Sequence, residues 1–178
     1  VNPTWLAERL RTHPWIKDAT VTLKPLHEVH IEVRERVPAV VVRTVSENLL
    51  VDAEGYLLAR IGSSDDPALP ILSGVDGKGL AQGRSEERKA VAVGATLAKM
   101  VGQTTGGRPD IDVRNLNNLV VLVQGVTFQF SESSMDQQWQ RFLKMRPALR
   151  DVAFDGEGAR ANEIDLRFAD RVIVRGRG

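Results

Sequence analysis

The sequence of 178 residues contains no cysteine. Disulfides, thiolate metal sites and a cysteine nucleophile are therefore excluded. Such a chain suits an oxidising compartment, where stray thiols are a liability, though many cytosolic chains also lack cysteine. Histidine is scarce, with His13, His27 and His30 the only three. His27 and His30 are three apart on an expected strand and so point to opposite faces, which argues against a two-histidine metal site. His13 precedes Pro14 at an expected helix end, where it can complement terminal carbonyls. Charge of one sign is also missing: 24 Lys and Arg balance 23 Asp and Glu, for a formal net charge of +1. No strong field draws the whole chain to nucleic acid or anionic lipid. Apolar runs such as Val40 to Val42 and Leu119 to Val123 are strand-sized. None approaches the roughly 20 residues of a membrane helix. No segment reads as a signal peptide.

Catalytic patterns are absent too. No serine sits in a G-x-S-x-G elbow, and neither GxxxxGK[ST] nor GxGxxG occurs. The pairs Asp65-Asp66 and Glu86-Glu87 fall in a loop and at a helix start, where solvation and the helix dipole explain them. With no nucleophile, base and orienting group in reach of one another, no enzyme is expected, and no cofactor or small-molecule substrate.

Hydrophobic residues make up 42% and charged residues 26%, an ordinary globular composition with enough length for one large or two small domains. The stretch from His13 to Thr44 organises the rest. Asn2-Pro3 signals a helix start, and Leu6 and Leu10 share one face of that helix, with Trp5 beside them. His13-Pro14 ends it. Trp5 and Trp15 are expected in the core. Ala19, Val21 and Leu23 alternate with polar residues as a half-buried strand, interrupted by a bend or edge at Pro25. Val29, Ile31 and Val33 resume the alternation, and Ala39 to Val42 form a third apolar run.

Asn48 to Leu58 reads as a hairpin around Asp52-Ala53-Glu54-Gly55; the ligand spacing of a calcium loop is missing. Ser85 is expected to cap a helix to about Val101, with close packing at Gly94. Ile111 and Val113 begin a strand, and a hairpin turns at Gln124-Gly125. Ser134 and Gln137 form an expected capping box before a helix that buries Trp139, Phe142 and Leu143 and ends or kinks near Pro147. Glu163 to Phe168 and Arg171 to Arg175 form the expected last two strands, with Ile173 central in the second and Asp170 able to take positive φ in the turn. Arg167, Arg171, Arg175 and Arg177 make this end basic. Aromatics interleaved with the arginines, as nucleic-acid binding requires, are lacking, so a charged edge strand is the plainer reading.

Several motifs then fall in a familiar order. Pro14-Trp15, Ala19, Pro25, Val29 to Val33, Glu35 and Pro38 resemble the second half of a POTRA domain of the bacterial division protein family FtsQ, called DivIB in Gram-positive lineages. Asp52-x-x-Gly55 followed by Leu69-Pro70-Ile71-Leu72-Ser73-Gly74 is similar to that family's pattern, and so is the closing Ile164-Asp165-Leu166-Arg167-Phe168. The family's glycine in the last turn is replaced here by Ala169-Asp170-Arg171. The resemblance implies an α+β fold: a partial POTRA domain over 1–45, lacking its first strand and helix, then an FtsQ-type β domain over 46–178 with antiparallel sheet and two helices. It implies a fragment of a single-pass protein of the bacterial inner membrane, with its anchor upstream of Val1 and this region in the periplasm, at the division septum. It implies a non-catalytic scaffold of the divisome that holds the FtsB and FtsL (DivIC-like) pair and links early and late division proteins, some through the POTRA half. The expected mechanism is strand addition at the final strand. The residues expected to bind the partner are Phe168, Arg171, Val172, Ile173, Val174 and Arg175, supported by the helix around Trp139. A POTRA-type substrate chaperone of outer-membrane assembly or secretion is the alternative.

Overall fold

Asn2 and Pro3 start the first helix as their chemistry dictates. The Asn2 side chain accepts from the Trp5 amide at 3.2 Å, Pro3 occupies the first turn, and α1 runs Pro3–Arg11. The computed structural model describes residues 2–148 and 161–176. Arg177, part of the expected basic end, lies outside them. Leu6, Ala7 and Leu10 form the inward stripe of α1. Trp5 falls off this stripe and is 56% exposed, with the Arg9 guanidinium 5.5 Å from its ring centre, so it does not join the core. Trp15 is half-buried. The His13 ring does not cap carbonyls; its Nδ1 accepts from the Trp15 amide at 3.3 Å.

The expected long bent strand is instead a hairpin. β1 (Ile16–Lys24) and β2 (Glu28–Glu35) pair antiparallel, with Val21 opposite Ile31 and Leu23 opposite Val29. Pro25–His27 form a 3₁₀ turn, so His27 sits in the turn and not on a strand. Leu26 takes φ 66° there, which closes the chain tightly enough to reverse it. Ala19 is buried, but Leu23, Val29, Ile31 and Val33 stay substantially exposed, because α1 packs only on the near end of this two-stranded sheet.

The third apolar run, β3 (Pro38–Arg43), does not pair with that hairpin. It joins a nine-stranded sheet with β4 (Asn48–Asp52), β5 (Leu57–Ile61), β6 (Ile71–Ser73), β7 (Asp110–Asp112), β8 (Leu119–Val123), β9 (Val126–Phe130), β10 (Ala161–Asp165) and β11 (Ile173–Gly176). Their order is β11-β10-β9-β8-β7-β6-β3-β4-β5. The sheet is mixed. β3 with β6, β6 with β7, and β9 with β10 run parallel, and the other pairs antiparallel. The β8–β9 turn takes φ 50° at Gln124 and 78° at Gly125, the double positive φ that a two-residue hairpin prefers.

Helices cover one face. α2 (Gly77–Ala81) is short. α3 (Ser85–Thr105) buries Val91, Leu97, Ala98 and Val101 on the sheet. A Cβ on Gly94 would lie 2.8 Å from Val113 and 2.9 Å from Leu72, so the glycine lets α3 sit directly on the strands as its position suggests. Ser85 is the first helical residue and not the cap; Arg84 holds the cap position without a side-chain bond. α3 continues past Val101 to Thr105 and stops at Gly106, whose φ is 70°. α4 (Met135–Met145) drives Trp139 and Phe142 against Phe128 and Phe130, with ring centres 5.2 to 6.0 Å apart across α4 and β9. The Ser134–Gln137 capping box does not form. Gln138, 1% exposed, replaces it by accepting from the Ser131 amide at 3.0 Å and donating to Ser134 Oγ at 2.8 Å.

Candidate partner interface

β10 is shorter than its apolar pattern suggests, and Asp165 is the reason. Its carboxylate accepts from the Arg167 amide at 3.1 Å, an Asx-type turn that bends the chain out of the ladder. Arg167 then closes on the same carboxylate through Nε at 2.9 Å and Nη2 at 2.7 Å. These bonds satisfy a side chain that is only 1% exposed. The Arg167 hydrogen bond holds the Asp165 carboxyl below its usual range and pushes the Arg167 guanidinium up.

The chain therefore leaves the sheet after Leu166, whose amide still donates to the Gln129 carbonyl of β9 at 2.9 Å, and returns at Ile173. Of the six expected binding residues, Ile173, Val174 and Arg175 lie in β11, while Phe168, Arg171 and Val172 lie in the connection before it. Ile173 opens the strand and is not its centre. Positive φ is absent at Asp170, since a connection of this length needs no tight turn. Phe168 and Arg171 still form a unit, with the guanidinium carbon 4.9 Å from the ring centre. α4 positions them: Arg141 donates to the Phe168 carbonyl. Val172 is half-buried and packs against the core.

β11 pairs with β10 on one side, with Ile164 opposite Val174 and Asp165 opposite Ile173. No described strand flanks its other side. Val174 is 37% exposed. Arg175 is also exposed and binds Glu163, which Gln129 holds at 2.9 Å from β9. An open edge of this kind offers main-chain donors and acceptors to another strand, with charges that discourage indiscriminate pairing. Sequence reading missed Arg141, Gln129 and Glu163. Glu163 and Arg175 meet only through strand register, and Arg141 only through the docking of α4.

Trp139 lies in the core cluster. It is buried, and its indole donates to Thr104 Oγ1 at 3.3 Å. Among the described residues, no group of three or more His, Asp or Glu side chains is arranged to hold a metal ion. No helix among them is long and apolar enough to cross a membrane.

Two family models match in tandem. Residues 1–36 match the FtsQ-type POTRA domain, and residues 39–167 match the C-terminal region of the cell division protein FtsQ/DivIB. The chain belongs to the FtsQ/DivIB family. A cell division protein FtsQ of Rhodothermus marinus is 34% identical over 183 aligned residues, covering 98% of this chain and 66% of that protein. FtsQ proteins of Anaeromyxobacter and Myxococcus fulvus are 29% and 25% identical, with 96% and 91% of this chain covered and 58% and 57% of theirs. The chain thus spans 57% to 66% of the length of these FtsQ relatives. The FtsQ/DivIB match ends at residue 167, so Phe168 and Arg171 to Arg175 lie just beyond it.

Proposed function

We propose that this FtsQ/DivIB chain is the extracytoplasmic part of a non-catalytic divisome scaffold. It is held at the inner membrane of the division septum by a single-pass anchor outside these residues. It captures the FtsB–FtsL pair by adding a partner strand to β11, and it links early to late division proteins. The observation that carries this reading is the place of β11 at the end of the nine-stranded sheet, with no described strand on its other side. Main-chain bonds supply affinity, while Val174, Arg175 and the Phe168–Arg171 unit select the partner. The family match over 39–167 favours this reading over a POTRA-type substrate chaperone. We also infer that the POTRA part ends at Val37, since β3 pairs in the larger sheet.

Alternation along a strand makes Ile173 and Val174 differ: the amide of one faces β10 and that of the other faces out. Ile173→Pro and Val174→Pro each remove one donor. Capture of the FtsB–FtsL pair on immobilised chain should fall about tenfold or more for the variant that loses the outward amide, with its circular dichroism unchanged. Full capture by both folded variants would overturn strand addition at β11.

A further inference from the structure

A second cleft lies away from the β11 edge. The β3–β4 turn, the segment from Ser73 to Lys78 and Arg114 enclose a cavity of about 590 Å³. Strand order puts β6, whose end reaches this cleft, five positions from β11, roughly 24 Å across the sheet.

The walls are fixed. Thr44 and Glu47 lock the turn: the Thr44 amide donates to the Glu47 carbonyl at 3.0 Å, Thr44 Oγ1 to the same carbonyl at 2.8 Å, and the Glu47 amide to Thr44 Oγ1 at 3.1 Å. This rigid turn holds Val45 fully exposed at the lip. Opposite it, Gly74 takes φ 85°, and a Cβ there would lie 2.8 Å from Arg114, so the backbone of Arg114 rests directly on the glycine. The Arg114 amide is held by Asp112 at 2.9 Å.

The charge of the cleft is uneven. Its two carboxylates are engaged within the protein: Glu47 binds Arg60, and Asp76 caps the Lys78 amide and meets Arg84 at 3.4 Å. Its cations are far less engaged. Arg114 reaches Asp112 only at 3.7 Å, Arg43 feels Asp66 electrostatically without a close ion pair, and Lys78 forms no ion pair among the described residues. The cleft therefore presents three exposed cations beside one exposed apolar side chain.

We propose that this cleft docks an acidic peptide segment carrying an apolar residue, with its carboxylates on Arg43, Lys78 and Arg114 and the apolar residue on Val45. Charge complementarity names the partner class. The concave shape favours a chain segment over a planar bilayer. The site is independent of β11.

The probe is a short fluorescein-labelled, glutamate-rich peptide with one central leucine, blocked at both ends. It should bind the chain saturably, and binding should weaken steeply with salt. The double variant Arg43→Glu/Lys78→Glu should bind about tenfold more weakly, because two attractions become repulsions at exposed positions. Val45→Ser should weaken binding about threefold, and Val174→Pro should leave it unchanged. On the unaltered chain, the peptide should shift the amide resonances of 43–47 and 73–78. Absence of saturable binding, equal binding by the double variant, or shifts confined to other residues would overturn the proposal. So would binding of phosphatidylglycerol vesicles without binding of the peptide.

Discussion

Asp165 acts as a strand terminator and as a buried anion at once. Its carboxyl is held below the usual 3.8, first by the Arg167 side chain and also by the Arg167 amide. The lowered value on folding means that its stabilisation is full above the ordinary aspartate range and is lost as pH falls through the folded value. Acid unfolding should therefore begin below about pH 4, with Asp165 contributing to the loss. Asp165→Asn should lower stability at pH 7 by about 2 kcal/mol and make the acid limb shallower, measured by urea titrations at several pH values. A variant whose acid limb matches that of the unaltered chain would exclude this role.

At the scale of elements, the tie between the β1–β2 hairpin and the large sheet rests on few groups. Asp52 accepts from the Glu54 amide at 2.9 Å and the Tyr56 amide at 2.8 Å, which forms the β4–β5 turn, and from Arg36 Nη1 at 2.8 Å. Arg36 also lies 3.6 Å from the Tyr56 ring centre, and Arg88 of α3 lies 4.1 Å from it. Both guanidinium groups therefore pack on the one ring, which joins the hairpin, the β4–β5 turn and α3. Gly55 allows α3 this near, since a Cβ on it would lie 2.7 Å from the Arg88 backbone. Lys17 adds a further bond to Glu54. Arg36→Ala leaves the buried Asp52 carboxylate without its cation and should cost about 2 kcal/mol. It should also loosen the hairpin relative to the sheet, read as changed residual dipolar couplings for 16–35 with those of the sheet unchanged. Couplings that keep one common alignment would show that the clamp lies elsewhere.

The Asp52 turn was legible in the sequence, because Asp-x-Glu-Gly between apolar arms specifies local geometry. So were the Gln124-Gly125 hairpin, the proline-started α1 and the close approach at Gly94. Long-range pairing was not. Nothing local tells Ala39 to Val42 to join β4 and β6 in place of β2, and apolar alternation reads the same in either sheet. The closing strands misled for a related reason: Leu166 and Phe168 continue an apolar alternation, yet the Asp165 side chain ends the ladder. Trp5 looked like core because a single helix face does not reveal how little of the hairpin that helix covers.

Across the whole molecule, β11 and β5 are the two end strands of the sheet among the described residues, and the POTRA part is tied near the β4–β5 turn. The capture proposed at β11 would therefore sit at the far end of the sheet from the POTRA part, so that it would leave that part accessible. Hydrogen exchange on the chain, alone and with the FtsB–FtsL pair, tests strand addition most directly. On strand addition, alternate amides within Ile173–Gly176 gain protection of about tenfold or more, while inward amides of β11 and those of β5 stay unchanged. Protection gained at other segments with every β11 amide unchanged would contradict it.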